Sequence, residues 1–572
     1  MTLNLTAAQR RAIETHDRNL VVLAAAGSGK THVLVERMLA LLDANPDWPL
    51  ESLVAITFTR KAGREMRERL RDRLRERSQS AAPDDRERWG RHLASVDNAC
   101  IDTIHSLCTR VLGLSAAEAR LDPEFTVLDE DESDVALDEA LEETLLQMAE
   151  AGDPSLALFA EYDREQIMVA LREQVPNPVP APVPDDLLEQ WRREWEREAR
   201  ASLQSFRDSP AFTEALTWEP PHGWPENDRL GDVWALCRPL CVEFENAAIA
   251  QSPGLLQAMD DAIDLRGGRQ GNWGNKETLE KARGMLRALR EEVQTLIKEI
   301  GDGVTDLDRR AAELLPHWRR LILAAKGVYG EKSNAGNWLD FNGLEQRAHE
   351  VLQQPEVRER LRREFRQVLV DEFHDTSPLQ WKIIRALADP REPGRLFIVG
   401  DPRQSIYGFR GADVGNFKEA LDEVRSAGGL MVTLSQSFRS HQPLLDVLNT
   451  IHRVALPDNR HEPMASERKR APGDHPPLEF LQLDTRAAGL SAEEGRDWLA
   501  RDLARRLQDL VAEGCPIVDS ESGETRHLKY GDVALLFRTH NRMPEYERAF
   551  AELALPFVTL GGRGFYGRQE VL

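Results

Sequence analysis

At 572 residues the chain is too long for a single hydrophobic core, and length alone points to about three to four domains. Its 41% hydrophobic and 30% charged residues describe a soluble globular protein, and no apolar run reaches the roughly 20 residues of a membrane-spanning helix. The net charge of −23 speaks against bulk attraction to nucleic acid, although binding depends on a local groove and not on the total.

The start, Met1-Thr2-Leu3-Asn4, lacks the basic-then-apolar layout of a signal peptide. Five cysteines (Cys100, Cys108, Cys237, Cys241, Cys515) are few and odd in number, which fits a reducing cytoplasm. Cys237 and Cys241 lack the second Cys/His pair that would make them a metal site.

The apolar run 20–23 predicts a buried strand leading into Ala24-Ala25-Ala26-Gly27-Ser28-Gly29-Lys30-Thr31. Behind it, Val33, Leu34, Val35, Met38, Leu39, Leu41 and Leu42 predict a helix. A strand, a Gly-rich turn and a helix in this order form a phosphate-binding loop. Gly27 and Gly29 let backbone N–H groups converge on polyphosphate oxygens, Lys30 adds a point charge, and Thr31 offers a hydroxyl to Mg²⁺. Ala24 stands where the general pattern has Gly.

Strand patterns recur at 53–58 and 99–101, with a basic helical stretch from Arg60 to Arg77 between them. The distal part of that helix reads as well as a solvated charged face; its first turn joins the motifs below. Residues 116–335 change to long charged helices, interrupted by a polyproline-like connector at 176–184 and a Gly-rich stretch at 267–274. The tryptophans here (Trp191, Trp195, Trp218, Trp224, Trp234) read as core. The α/β pattern resumes with Val368-Leu369-Val370-Asp371-Glu372, where a strand delivers two carboxylates to the edge at which α/β sheets bind ligands. One can hold Mg²⁺ while the other polarises a water, so nucleotide hydrolysis is the expected chemistry. A strand at 396–400 follows. Another α/β unit starts near Met431, with strand candidates at 478–483 and 533–537.

Residues 398–412, Ile-Val-Gly-Asp-Pro-Arg-Gln-Ser-Ile-Tyr-Gly-Phe-Arg-Gly-Ala, closely resemble the third motif of UvrD/Rep-type superfamily-one DNA helicases. Further segments fall in that family's order: Leu5-Thr6-Ala7-Ala8-Gln9, Ala55 to Ala62, Thr103-Ile104-His105-Ser106, Asp371 to Thr376, and Leu434 to Ser440. The long insertion, Asp122-Pro123-Glu124-Phe125 and Leu339-Asp340-Phe341 are similar to the AddA/RecB-like branch that processes DNA ends. The implied fold is α/β: a RecA-like P-loop NTPase parallel sheet with a large helical insertion, plus the beginning of a second RecA-like domain. The expected division is 1–115 and 339–430 for the first motor domain, 116–338 for the insertion, and 431–572 for an incomplete second motor domain.

The resemblance implies the following roles. Gln9 and Arg37 contact adenine and Phe438 stacks on it. Ala24, Ala25, Ala26, Gly27 and Ser28 with Gly29, Lys30 and Thr31 hold the phosphates of ATP. Thr31 and Asp371 hold Mg²⁺, and Glu372 is the general base. Gln404 senses the γ-phosphate and Arg439 acts as an arginine finger. Phe58, Tyr407 and Phe409 stack on bases of single-stranded DNA, while Thr57, Arg60, His105 and Arg410 line its path. The chain departs from the family with His374 for Gln, Phe409 for Trp and Ser437 for Asn. Motifs V and VI have no counterpart, and 561–572 resemble the entry to the family's inserted second subdomain, as expected for the N-terminal part of a longer protein. The implied activity is an ATP-dependent 3′-to-5′ helicase or translocase acting on DNA ends in recombination and repair. A second helicase–nuclease protein would partner it, and a nuclease domain would lie beyond Leu572. A non-catalytic DNA-binding scaffold is the alternative; intact Lys30, Thr31, Asp371 and Glu372 weigh against it.

Overall fold

The computed structural model describes residues 5–455, 463–468, 473, 475–519 and 522–560. Internal packing divides the chain into two compact units, one formed by residues up to Pro123 and from Leu344 onward, the other by Glu124–Gly343.

The first unit is built on six parallel strands: β1 (Leu20–Ala24), β2 (Leu53–Thr57), β3 (Cys100–Thr103), β6 (Gln367–Val370), β7 (Leu396–Gly400) and β8 (Leu430–Leu434), in spatial order β3-β2-β6-β7-β1-β8. In register, Val21 lies opposite both Ile398 and Met431, and Ala55 opposite both Ile101 and Leu369. One face packs Leu20, Val22, Ala55, Leu369, Phe397 and Val399 into a core with helical side chains such as Ile13, Leu39 and Leu70. Val21, Val54, Val368 and Ile398, pointing the other way, are buried as well. Burial on both faces explains why these strands read as unbroken apolar runs and not as alternations.

The helices that precede the insertion are α1 (Ala7–Glu14), α2 (Lys30–Ala44), α3 (Arg60–Ser80), α4 (Pro83–Ala94) and α5 (Ile104–Leu114), the first four contributing to that core. Thr6 opens α1 through a capping box with Gln9, and Thr59 and Thr103 cap α3 and α5. Placing β8 beside β1 corrects the expected start of a new unit at Met431: the 430–434 run completes the first sheet, where it buries Val432 and Leu434. Neither 478–483 nor 533–537 is a strand; Phe480 is 82% and Leu536 95% exposed. A strand exists only through its neighbours, and among the described residues neither segment has one. Beyond β8, helices Ala492–Ala512 and Met543–Glu552 enclose a small core at Ala500, Ala504, Ala549 and Phe550, helix Gln442–Ala455 packs Leu445 with Ala25 and Met464, and Pro516–Val518 pairs with Thr525–His527 as a short hairpin.

The second unit is helical. Its neck is a two-stranded pairing of β4 (Thr126–Val127) with β5 (Trp338–Leu339). One core gathers Leu141, Leu158, Ile167, Leu171 and Leu321; another gathers Phe206, Phe212, Trp234, Phe244 and Trp273. Trp218 and Trp224 pack against the second, and Trp195 donates Nε1–H to the Ile300 carbonyl at 2.7 Å. Buried Asp228 accepts from the amides of Leu230, Gly231 and Arg269 and from Asn272 Nδ2 and Trp273 Nε1, so these hydrogen bonds outweigh burial and hold its carboxyl below the usual range. The prolyl connector is fastened down: Arg319 Nε donates to the carbonyls of Pro180 and Ala181, and Lys326 to those of Val175 and Asn177. No described helix is long and apolar enough to cross a membrane.

Candidate functional site

The turn between β1 and α2 sits at the C-terminal edge of the sheet. Ala24 closes β1 opposite Leu434 and is buried, so the loop proper begins at Ala25. Gly27 (φ +75°) and Gly29 (φ +82°) take the left-handed backbone that lets successive amides converge, and Gly29 is the N-cap of α2. The loop is held from outside. Phe438 N–H donates to the Gly27 carbonyl at 2.8 Å, and Ser437 Oγ donates to the Ala26 carbonyl at 3.4 Å. A Cβ on Gly27 would lie 2.5 Å from Arg439 Cβ, so the segment carrying Phe438 and Arg439 rests directly on the turn. Gln9 braces it from the other side, accepting from Thr6 N–H through Oε1 and donating Nε2–H to the Ser28 carbonyl, each at 3.1 Å.

Arg37 departs from the expected adenine contact. It is fully buried, donates through Nη1 to the carbonyls of Ala12 and Thr15 at 2.7 Å, and lies 4.5 Å over the Phe397 ring. Burial lowers its guanidinium to about 9. It ties the end of α1, the helix that carries Gln9, to α2.

At the same edge, β6 leads directly into Asp371 and Glu372. Lys30 forms an ion pair with Glu372, joining the two loops. Burial, with the Glu372 charge adding and Lys30 opposing, pushes the Asp371 carboxyl up to about 7. Glu372 itself sits at φ +50°. The Asp371 carboxyl and the Thr31 hydroxyl offer oxygen donors only, and a raised buried carboxyl is one that a hard divalent cation would ionise; the residues fit Mg²⁺. Among the described residues no group of three or more His, Cys, Asp or Glu forms a separate metal cluster, and burial pushes the Cys237 and Cys241 thiols up to about 12.

His374 links this loop to the next. Its Nδ1 accepts from Asp401 N–H at 3.1 Å, its Nε2 lies 3.4 Å from Asp375 Oδ2, and its carbonyl accepts from Ser405 Oγ at 3.0 Å. Burial lowers its pKa, against the pull of the neighbouring Asp375 and Glu372. Asp401 in turn accepts from Arg403 Nε at 2.8 Å and from Gln404 Nε2 at 2.9 Å.

The same segment continues into an aromatic row. Phe58 and Tyr407 have ring centroids 4.5 Å apart, Tyr407 and Phe409 5.8 Å, and the Arg410 guanidinium lies 5.8 Å and 6.0 Å over the last two. Phe409 is 81% exposed, a face open to stacking. Basic residues beside the row are graded along α3. Arg67, Arg71, Arg73, Arg75 and Arg77 pair with Asp102, Asp97, Glu36, Asp72 and Asp43, whereas Arg60, Lys61 and Arg64 at the start of the helix, and Arg69 further on, are exposed and have no ion-pair partner among the described residues. Thr57 does not line an open path: it is buried and its Oγ1 donates to the Thr59 carbonyl at 3.1 Å. His105 Nε2 lies 3.2 Å from buried Glu345 Oε1, a partner that sequence alone did not indicate.

A profile of the UvrD/REP helicase N-terminal domain matches residues 5–425. Curated relatives are named as one of the subunits of an ATP-dependent helicase/nuclease. That of Lactobacillus delbrueckii subsp. bulgaricus is 28% identical, over 100% of this chain and 50% of the relative. That of Listeria welshimeri is 25% identical over 98% of this chain and 49% of the relative, and that of Staphylococcus epidermidis 26% over 99% and 49%. The chain thus spans about half the length of the curated relatives it matches. On a matched stretch covering most of its length, together with the parallel sheet and the loops at its edge, the chain belongs to the UvrD/REP helicase N-terminal domain family.

Proposed function

We propose that this chain is the ATP-hydrolysing N-terminal motor portion of a DNA helicase or translocase. It would move 3′ to 5′ along single-stranded DNA and act at duplex ends in recombination and double-strand break repair. Polarity and the choice of ends are carried by the resemblance alone. The supporting observation is one continuous connection: Lys30 to Glu372, the Glu372 loop to Asp401 and Ser405 through His374, and from there to the Phe58–Tyr407–Phe409 row. Such a connection lets a change at the phosphate loop alter the grip on a strand.

In this reading Lys30 and the 25–29 amides hold the ATP phosphates, and Gln9 and Phe438 hold the adenine. Thr31 and Asp371 hold Mg²⁺, which when bound offsets charge on the β- and γ-phosphate oxygens. Glu372 takes the proton of the attacking water, Gln404 reports the γ-phosphate, and Arg439 meets the charge that develops on it. Phe58, Tyr407 and Phe409 stack on bases, with Arg60, His105 and Arg410 along the backbone. The first motor domain comprises 1–115 and 339 onward with β8 included, 116–338 is the insertion, and the remainder begins a second motor domain. Three further elements complete the proposal: a protein partner, which the relatives' naming as subunits supports, a nuclease domain beyond Leu572, and a place at the nucleoid in the cytoplasm.

The test is phosphate release by the full-length protein with saturating single-stranded DNA. Lys30→Ala should turn over below a tenth of wild type. Glu372→Gln should bind nucleotide at near wild-type affinity yet stall, because the amide keeps the shape and cannot take a proton. Turnover above a tenth for Lys30→Ala, or lost nucleotide affinity for Glu372→Gln, would contradict these assignments.

A further inference from the structure

Glu345 lies in the helix Phe341–Leu352 and is buried. A buried carboxylate persists when hydrogen bonds satisfy it. Its Oε1 receives Gln380 Nε2–H at 2.7 Å and stands 3.2 Å from His105 Nε2. Gln380 is itself clamped: its Oε1 accepts from Ser377 N–H, and its own N–H donates to Ser377 Oγ, each at 3.2 Å. Ser377 directly follows the carboxylate loop, and the preceding Thr376 carbonyl accepts from Asn416 Nδ2 at 3.0 Å. One oxygen therefore joins the helix leaving the carboxylate loop to the imidazole at the start of α5.

We propose that Glu345 is a positioning residue for His105, holding its imidazole with Nε2–H directed inward and tying its aim to the Ser377–Gln380 cap that follows the carboxylate loop. The assignment rests on the proposed function, in which His105 lines the path of single-stranded DNA. Glu345 is buried and its partners are Gln380 and His105, so it acts through His105. The carboxylate makes the bond to His105 a charge-assisted one, and Gln380 keeps the carboxylate from swinging away.

The experiment measures the single-stranded DNA concentration for half-maximal ATP turnover, and kcat at saturating DNA, in the full-length protein. Glu345→Leu should raise the half-saturating DNA concentration about tenfold with kcat within about twofold of wild type. Glu345→Gln, whose amide oxygen can still accept both bonds, should stay within about threefold. In a His105→Ala background Glu345→Leu should add nothing, since the ring it positions is gone. A tenfold effect that persists in that background, or no effect beside a clear one for His105→Ala, overturns the assignment and leaves the site reading standing. If His105→Ala and Tyr407→Ala both leave DNA stimulation unchanged, the strand path itself fails. Thermal melts check folding; should Glu345→Leu not fold, Gln380→Met must give a smaller shift of the same sign that vanishes with His105→Ala, and failure to do so also overturns the assignment.

Discussion

Adding one methyl group at Gly27 should disable the motor without unfolding it. The turn holds Gly27 at φ +75°, a region that costs a residue with a Cβ about 1–2 kcal/mol. The new Cβ would meet Arg439 Cβ at 2.5 Å and Ser437 Oγ at 3.0 Å, and ordinary contact requires about 1 Å of retreat by the 437–439 backbone. That retreat breaks the Phe438 N–H bond to the Gly27 carbonyl, about 0.5–1.5 kcal/mol. The global loss is thus about 1.5–3.5 kcal/mol, confined to a loop. The kinetic loss is larger, because a misplacement of about 1 Å in a catalytic group costs about 10² in rate and a seated arginine finger contributes about 10³–10⁵. Gly27→Ala should therefore lower kcat about 100-fold with a small change in melting temperature. Gly29→Ala is the control. It bears the same backbone strain (φ +82°), but its nearest neighbour is Gln9 Nε2 at 3.1 Å, the end of a flexible side chain, so KM for ATP should rise more than kcat falls. Steady-state phosphate release by the full-length protein at saturating single-stranded DNA separates the two. Equal kcat losses for both variants, or a Gly27→Ala kcat within threefold of wild type, would refute the reasoning.

Tyr407→Ala and Phe58→Ala should weaken single-stranded DNA binding by about 1–3 kcal/mol with an unchanged salt slope, whereas Arg60→Ala should flatten the slope of log K against log salt by about 0.7; fluorescence anisotropy at several salt concentrations decides. His374 has a pKa lowered from 6.5, chiefly by burial, so the folded protein keeps the ring neutral below that value and protonation on further acidification turns the Nδ1 acceptor of Asp401 N–H into a donor. Stability should hold through neutral pH and decline as pH drops below 6.5, turnover should fall only at the lower pH where the folded ring itself protonates, and His374→Gln should flatten this acid limb of the kcat–pH profile; superimposable limbs would count against it. Asp228→Ala orphans five donors in the insertion and should destabilise that unit by at least about 3 kcal/mol in a thermal melt while DNA-free ATP turnover is retained.

The readable parts of this molecule are those where chemistry and chain are local. The turn around Gly27–Lys30 and the Asp371–Glu372 pair each announce a strand end in a few contiguous residues, and the structure joins them through Lys30 and Glu372. Where partners are distant, sequence was mute. Glu345 meets His105 across 240 positions, and Arg37 is drawn inward by the Ala12 and Thr15 carbonyls, which no spacing reveals. Thr57 is a polar side chain at a strand end, where turning inward to the Thr59 carbonyl competes with facing a ligand. The 430–434 run carries its strand pattern openly, but a pattern does not say which sheet claims it; pairing with β1 does. The 478–483 and 533–537 runs show the converse, strand-like composition with no neighbour among the described residues.

The graded pairing along α3 bears on how quickly a strand would be found. With five arginines neutralised by carboxylates, the positive potential of this helix shrinks towards its start, at Arg60, Lys61 and Arg64, with Arg69 beyond them. The surrounding chain carries −23, and the Debye length at 0.1 M salt is about 10 Å, so attraction of a polyanion is felt only near contact. If the proposed strand path holds, this portion of the protein contributes little long-range steering, and encounters through it should occur at about the unassisted rate of 10⁵–10⁶ M⁻¹s⁻¹. On the proposed reading such a surface would suit a strand already unpaired, whose bases could reach the aromatic row in the same collision that brings its phosphates to the start of α3.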